Sequence, residues 1–367
     1  MNALESQTRL CSVHLVGSVP LGSAEEVFRT VAGTLGSRIR RLPDGETGDR
    51  TGWVGFQVPV LMQHPMFELS PSARPGESQS DVDRVTRAEG ADYARPFFAL
   101  RAGADAGALE FGDLGYARAA LESYAVFARL KEAGVIPAGT RFQVSLPTPL
   151  APLVMFVARP DHDRVEPAYK AALLGELTRI CAGIPHDQLA VQWDVAPELA
   201  LLEGVWESGF DDVEGEITRR VTELGNVVPA SAELGFHFCY GDLGHQHFVQ
   251  PRDTSVLARL ASRVAAGLRR PLNWVHMPVP KDRDDEAYFS PLRDLQLPAG
   301  AQLFLGLVHA ADGTDGVRRR AEAARRFSPP FGIATECGFG RRPAHTVPAL
   351  LELHRSAADE LASPARH

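Results

Sequence analysis

The sequence predicts an α/β fold: a single (β/α)8 TIM barrel with a long βα insertion after its second strand. Three observations carry that expectation. Eight short apolar or β-branched runs alternate with stretches of helical apolar spacing. No Gly-rich phosphate loop follows any of the runs, which argues against the doubly wound open sheet that is the main alternative. The length, 367 residues, suits one complete barrel.

The predicted strands are SVHLVG (12–17), RIRRLP (38–43), RFQVSLP (141–147), LAVQWD (189–194), ELGFHFC (233–239), LNWVHMP (272–278), AQLFLGLVH (301–309) and FGIAT (331–335). Helical spacing appears at 24–36, 254–268, 317–327 and 347–362, with Asp253 placed to cap the second of these. Residues 64–116 break the alternation. Their LSPSARPGESQSD stretch is polar and turn-rich, so the segment reads as an insertion over the barrel mouth. The chain is thus expected to be one domain over 1–367, with flexible ends at 1–10 and 363–367.

Composition narrows the function. The net charge is −8 and no Lys/Arg block occurs, so the electrostatic footprint of a nucleic-acid binder is missing. The apolar run at 150–158 is too short to span a bilayer and contains a proline, and MNALESQTRL does not read as a secretory signal. Four cysteines, at 11, 181, 239 and 337, make no disulfide framework in a chain of this length. The expected setting is therefore the reducing cytoplasm, with the chain a monomer or homodimer.

In such a barrel the reactive groups gather at the C-terminal strand ends. Those ends bring Ser18, then Glu46 in LPDGETGDR, then Thr148, then Trp193 and Asp194 followed by Glu198 and Glu203. The later strands bring His237 and Cys239, His276, His309, and Glu336 with Cys337. HFC at 237–239 is the sharpest signal. Residues i and i+2 of a strand point to one side, so His237 and Cys239 can reach one ion, and Cys337 would close a zinc site with a position left for substrate. The competing reading is a hydrogen-bonded core histidine beside a small buried cysteine. Cys11 and Cys181 read as packing residues. His245 and His247 fall in a Gly-flanked loop and need no metal, and KDRDDE (281–286) reads as a solvated loop.

Taken in order, these pieces resemble the cobalamin-independent methionine synthase family, specifically its C-terminal catalytic barrel, within the superfamily that also holds uroporphyrinogen decarboxylases. VGSVP (16–20) is similar to the family's IGS-P strand end, and PDGE (43–46) to its HGE element. VQWD with Glu203-Gly204 resembles IDEPALREG, HFC resembles the H-x-C zinc pair, LVH (307–309) the late DIHS histidine, and ECGFGRR (336–342) the PDCGLKTR motif. The resemblance implies a zinc-dependent methyl or alkyl transferase acting on a thiol. Ser18, Glu46 and Asp194 would grip the amino-acid part of a homocysteine-like substrate, with Trp193 and Thr148 beside it. His309, with Asp194 and Glu203, would serve catalysis, His309 as general acid. The metal would sit on His237, Cys239 and Cys337. Where the family has a zinc-binding glutamate this chain has His276, either a replacement ligand or a residue beside the metal. Two Cys and two His would leave the zinc neutral, a stronger Lewis acid than the family's singly negative site.

The family's long enzymes carry a further domain that helps hold folate, for which this chain has no room. The alkyl donor is expected to be a small molecule or a methylated corrinoid protein. Related coenzyme M transferases show that non-methyl groups are transferred on this barrel too. Two other readings remain open. A metal-independent lyase or decarboxylase would use Arg50, Arg341 and Arg342 at the mouth. A non-catalytic binding barrel would keep the pocket without the reaction.

Overall fold

The computed structural model describes residues 11–70, 97–241 and 247–362. The expected flexible ends, the insertion's middle (71–96) and His245 lie outside the described residues. In chain order, α1 (Ala24–Leu35) leads to β1 (Arg41–Pro43) and α2 (Val58–Gln63). The pair β2 (Phe67–Leu69) and β3 (Phe98–Leu100) precedes α3 (Tyr116–Glu132) and β4 (Arg141–Pro147). Helices α4 (Leu150–Phe156) and α5 (His162–Gly183) lead to β5 (Leu189–Val195), and α6 (Pro197–Leu202) and α7 (Val213–Val227) to β6 (Glu233–Phe238). Then follow α8 (Ser255–Gly267), β7 (Trp274–Pro278), α9 (Glu286–Phe289) and β8 (Gln302–Gly306). The last elements are α10 (Gly313–Arg325), β9 (Phe331–Ile333) and α11 (Val347–Ala362).

Seven strands form one curled parallel sheet in the order β1-β4-β5-β6-β7-β8-β9. Its two edges approach through the segment expected as the first strand, 12–17. Val13 bridges Ile39 on one side and Ile333 on the other, and Ser18 bridges Gly45. Between these bridges no regular strand forms, so the expected eight-strand closure is reached only as isolated pairs. The reason lies in where the carbonyls go. Gln143 Nε2 donates to Leu15 O and Val16 O at 3.0 and 2.9 Å, and Gln192 Nε2 donates to Val16 O at 2.6 Å. Buried glutamines from β4 and β5 thus satisfy backbone oxygens that a ladder would otherwise claim.

The helices pack their apolar faces on the outside of the sheet. In α1, Val27, Phe28, Val31, Ala32 and Leu35 are buried at helical spacing, and Ser23 Oγ accepts from Glu26 N to cap its start. Helix α8 has Thr254 at its N-cap position, while the expected cap, Asp253, accepts from Ser255 N at 2.8 Å. The described parts of 64–116 dock beside the exit of β4. There β2 and β3 pair antiparallel, Phe98 bridges Val157, and Asp161 Oδ2 accepts from Leu100 N at 2.9 Å.

The interior of the curl has its own small core. Ala190, Trp274 and Phe304 cluster there, separate from the large sheet–helix core. Below them Arg41 lies 4.2 Å from the Trp274 ring centre and pairs with Glu233 at 2.5 Å. Gly235 sits beside that indole: a Cβ there would lie 1.9 Å from a Trp274 ring atom, so only glycine admits the tryptophan. Above, the paired positions Asp194, His237 and His276 form the next row on β5, β6 and β7. The fold thus fills its floor with an aromatic plug and sets the polar row on top of it.

Candidate metal centre

Strand β6 delivers His237 and, one residue past its end, Cys239; the loop after β9 delivers Cys337. The three donor atoms lie within 4.8 Å of one another, the group among the described residues that could hold a metal ion. Cys239 Sγ stands 3.7 Å from Cys337 Sγ, too far for a disulfide, and Cys337 Sγ stands 3.8 Å from His237 Nε2. Tetrahedral zinc with its usual bond lengths would separate two sulfurs by about 3.7 Å and sulfur from nitrogen by about 3.5 Å. The spacing and the chemistry of these donors therefore fit zinc. Gly241 N donates to Cys239 Sγ at 3.2 Å.

The loop carrying Cys337 is held from two sides. Thr335 Oγ1 donates to Cys337 O at 2.5 Å. Across the seam, Phe339 N donates to Ser18 O at 2.7 Å and Gly340 N to Ser18 Oγ at 3.1 Å. A Cβ on Gly338 would stand 2.2 Å from Ser18 Oγ, so glycine is required for that approach. Ser18, expected to touch substrate, holds the turn that presents the second sulfur.

His276 is fully buried and has both ring nitrogens engaged. Its Nε2 lies 2.9 Å from Thr335 O and its Nδ1 2.7 Å from His237 Nδ1. Burial lowers the pKa of His276 to about 4, and burial plus the neighbouring imidazoles hold His237 well below its ordinary value. Both are neutral at pH 7, as a metal-binding imidazole must be.

A second group faces them from the other strands. Glu46 adopts φ 51, a strained left-handed conformation for a glutamate, and its N–H donates to Asp44 Oδ1 at 3.0 Å. Burial pushes the Glu46 carboxyl up to about 7, with Arg50 and Arg341 opposing and Asp44 adding to the rise. Asp194 is raised well above the usual range by burial and then by Glu46, while hydrogen bonds from Gln192 and Trp53 pull the other way. Gln192 Nε2 donates to Asp194 Oδ1 at 2.9 Å. Trp53, on a second left-handed residue (φ 55), is a contact that sequence reading missed; a lone tryptophan among glycines after the second strand was its signal.

Other expected site residues fall elsewhere. Trp193 alternates with Asp194 along β5 and therefore faces the sheet–helix core, where it is completely buried. Its assignment beside the substrate is corrected by that alternation. Glu203 ends α6, and its Oε1 accepts from the Tyr240 hydroxyl at 2.8 Å. Thr148 is buried next to Glu198, whose carboxyl burial pushes up to about 7. His309 lies past the end of β8 because Leu307–His309 leave the ladder. Its Nε2 lies 2.9 Å from Val279 O, its Nδ1 lies 3.2 Å from Glu336 Oε2, and burial lowers it to about 4. Arg50 pairs with Asp44, and Arg342 with Glu336 at 3.5 Å. Cys11 and Cys181 are pushed up to about 11 by burial, leaving little thiolate on either.

No protein-family model matches the chain, and no curated protein matches it significantly. Among solved structures it is similar to a Listeria monocytogenes protein described as a vitamin-B12-independent methionine synthase. That match has a TM-score of 0.55 at 11% identity and covers 95% of this chain and 97% of the other. It is also similar to a B12-independent methionine synthase from Shewanella sp. W3-18-1 solved in complex with selenomethionine. There the TM-score is 0.55 at 12% identity, over 96% of this chain and 97% of the other. At such identity the likeness carries the fold. No helix among the described residues is long and apolar enough to cross a membrane.

Proposed function

We propose that this chain is a zinc-dependent methyl or alkyl transferase acting on the sulfur of a homocysteine-like amino-acid thiol. The observation that carries the reading is the spacing of His237, Cys239 and Cys337, set opposite two desolvated carboxyls. Zinc on those three residues would hold a substrate thiol as thiolate at neutral pH, where a free thiol of pKa about 8.5 is mostly protonated. The carboxyls do the complementary work. Glu46 and Asp194 lie raised because burial strips them of water, and neither the guanidiniums of Arg50 and Arg341 near Glu46 nor the hydrogen bonds to Asp194 offset that loss. A substrate ammonium would offset it and ionise them. The selenomethionine bound by the Shewanella protein is an amino acid of this class, with its charged end and its chalcogen at opposite ends of a short chain.

His309 and Glu336 would share one proton between Nδ1 and Oε2 and deliver it to the leaving group. Ser18 would act on the metal side, through the Cys337 turn. The donor would be a small methyl compound or a methylated corrinoid protein. A decarboxylase of the metal-free type would need cationic arginines at the mouth, and Arg50 and Arg342 already carry carboxylate partners.

Zinc-edge X-ray absorption tests the reading. Protein purified without chelator should hold zinc with two sulfur neighbours and gain a third sulfur when homocysteine is added. Zinc below about half an equivalent, or a shell unchanged by the thiol, overturns it.

A further inference from the structure

We infer that His276 is not a metal ligand but a positioning residue, which fixes the tautomer of His237 so that Nε2 stays bare and aimed at the two cysteine sulfurs. The reasoning is proton accounting along one line of atoms. Thr335 O is a carbonyl and can only accept, so the hydrogen in its 2.9 Å contact sits on His276 Nε2. His276 is fully buried, and its two contacts are a carbonyl and another imidazole; neither offers the negative charge that would keep an imidazolium in a dry interior. With Nε2 protonated and the ring neutral, Nδ1 carries a lone pair. The 2.7 Å contact to His237 Nδ1 then requires the hydrogen to sit on His237. That leaves His237 Nε2 without a proton, 3.8 Å from Cys337 Sγ.

The other end of the line is tied down as well. Thr335 accepts from His276 through its carbonyl and donates through its hydroxyl to Cys337 O at 2.5 Å. One threonine therefore links, through His276, the orientation of the imidazole ligand to that of a sulfur ligand in the loop after β9. Backbone pairing sets the geometry too, since His237 and His276 are partners in the β6–β7 register. A histidine that ligates through one nitrogen and donates through the other is held in place and made more basic by its acceptor. Here the acceptor is an imidazole nitrogen, which is neutral, so the ligand is oriented without adding charge at the centre.

The consequence for metal affinity rests on the reading of the previous section, but the tautomers do not. They are read in metal-free protein by long-range 1H–15N correlation of 15N-histidine, with His237 and His276 assigned by substitution. The expected result is His237 protonated at Nδ1 and His276 at Nε2. A proton on His237 Nε2 overturns the inference whether or not the protein binds zinc. On zinc-loaded protein, absorption at the zinc edge should show one imidazole and two sulfurs; two imidazoles would make His276 a ligand and overturn it. His276→Phe removes the acceptor and should raise the zinc Kd roughly 10- to 100-fold. His276→Gln keeps one acceptor and one donor and should recover most of that loss. Equal affinity in the Phe and wild-type proteins, or a Gln variant as weak as Phe, also overturns it. If wild-type protein takes up no zinc, the functional reading fails while the tautomer result still decides this one.

Discussion

At the C-terminal end of the sheet, β6, β7 and the loop after β9 carry His237, Cys239, His276 and Cys337, whereas the loop after β1 and the end of β5 carry Glu46 and Asp194. His237, His276, Cys239 and Asp194 are buried and Glu46 and Cys337 half-buried, yet the two sides solve desolvation in opposite ways. On the first, imidazoles stay neutral and bond to one another and to a carbonyl. On the second, acids are displaced upward because hydrogen bonds from Gln192 and Trp53 to Asp194, and the charges of Arg50 and Arg341 near Glu46, do not offset the loss of water. The difference shows which side is finished and which waits. A site complete without its ligand can receive an ion with little rearrangement. A pair of raised carboxyls is completed only by something positively charged.

The largest effect should come from the finished side. Cys239→Ser or Cys337→Ser should weaken zinc binding by at least about 100-fold by equilibrium dialysis, since each removes a donor that nothing nearby replaces. Cys11→Ser and Cys181→Ser should leave it unchanged. Loss of zinc in either of the latter two would break the division into chemical and packing cysteines.

Next comes the waiting side. Asp194→Asn and Glu46→Gln should each weaken binding of a homocysteine-like thiol roughly 10- to 100-fold, the scale of a charge-assisted hydrogen bond. Zinc affinity should stay within a few-fold of wild type in both. Calorimetry with the zinc-loaded protein checks this. If the carboxyl variants lose zinc as the cysteine variants do, the two sides are one site and the comparison fails.

The sides also differ in how the metal-free protein answers pH. Glu46, raised to about 7 from an ordinary 4.5, holds its proton in the folded state over a range where the unfolded chain has released it. At this group the folded state binds more protons, so its contribution to stability falls as pH rises between about 5 and 7. Glu198, also raised to about 7, acts in the same direction. The histidines that burial holds low, among them His276 and His309, act in the opposite direction below their ordinary 6.5, because the unfolded chain protonates them and the folded one does not. The Glu46 contribution is therefore read as a difference: the Tm of Glu46→Gln relative to wild type should rise with pH across the window, by roughly a few degrees. A Tm difference that stays flat or falls would sink the assignment of Glu46 as a desolvated acid.

How much of this was legible follows from the range of each interaction. The strands at 141–147 and 189–194 were visible because apolar runs record burial locally. His237 and Cys239 were visible as a pair because strand periodicity is two. The same periodicity, applied to Trp193 and Asp194, forbids both from facing the mouth, and that rule was available in the sequence. The seam at 12–18 was not. Its irregularity depends on Gln143 and Gln192 reaching across the interior to backbone oxygens, contacts that no local pattern encodes. The same holds for Trp53, which meets Asp194 only because the loop after β1 turns through left-handed residues, two of them, Glu46 and Trp53, not glycine.

Ser18 gives the smallest effect and the finest discrimination, because it lies on the boundary between the two sides. The resemblance to methionine synthases assigns it to the substrate's amino group, whereas in the structure its hydroxyl oxygen accepts from Gly340 N. Ser18→Ala would remove one hydrogen bond worth about 1 kcal/mol and loosen the turn that aims Cys337. Acting through that turn, the change should weaken zinc a few-fold and leave the affinity of zinc-loaded protein for the thiol almost untouched. A serine that grips the ammonium would do the reverse, sparing zinc and raising KM. Measuring both constants on one variant therefore decides to which side of the mouth Ser18 belongs.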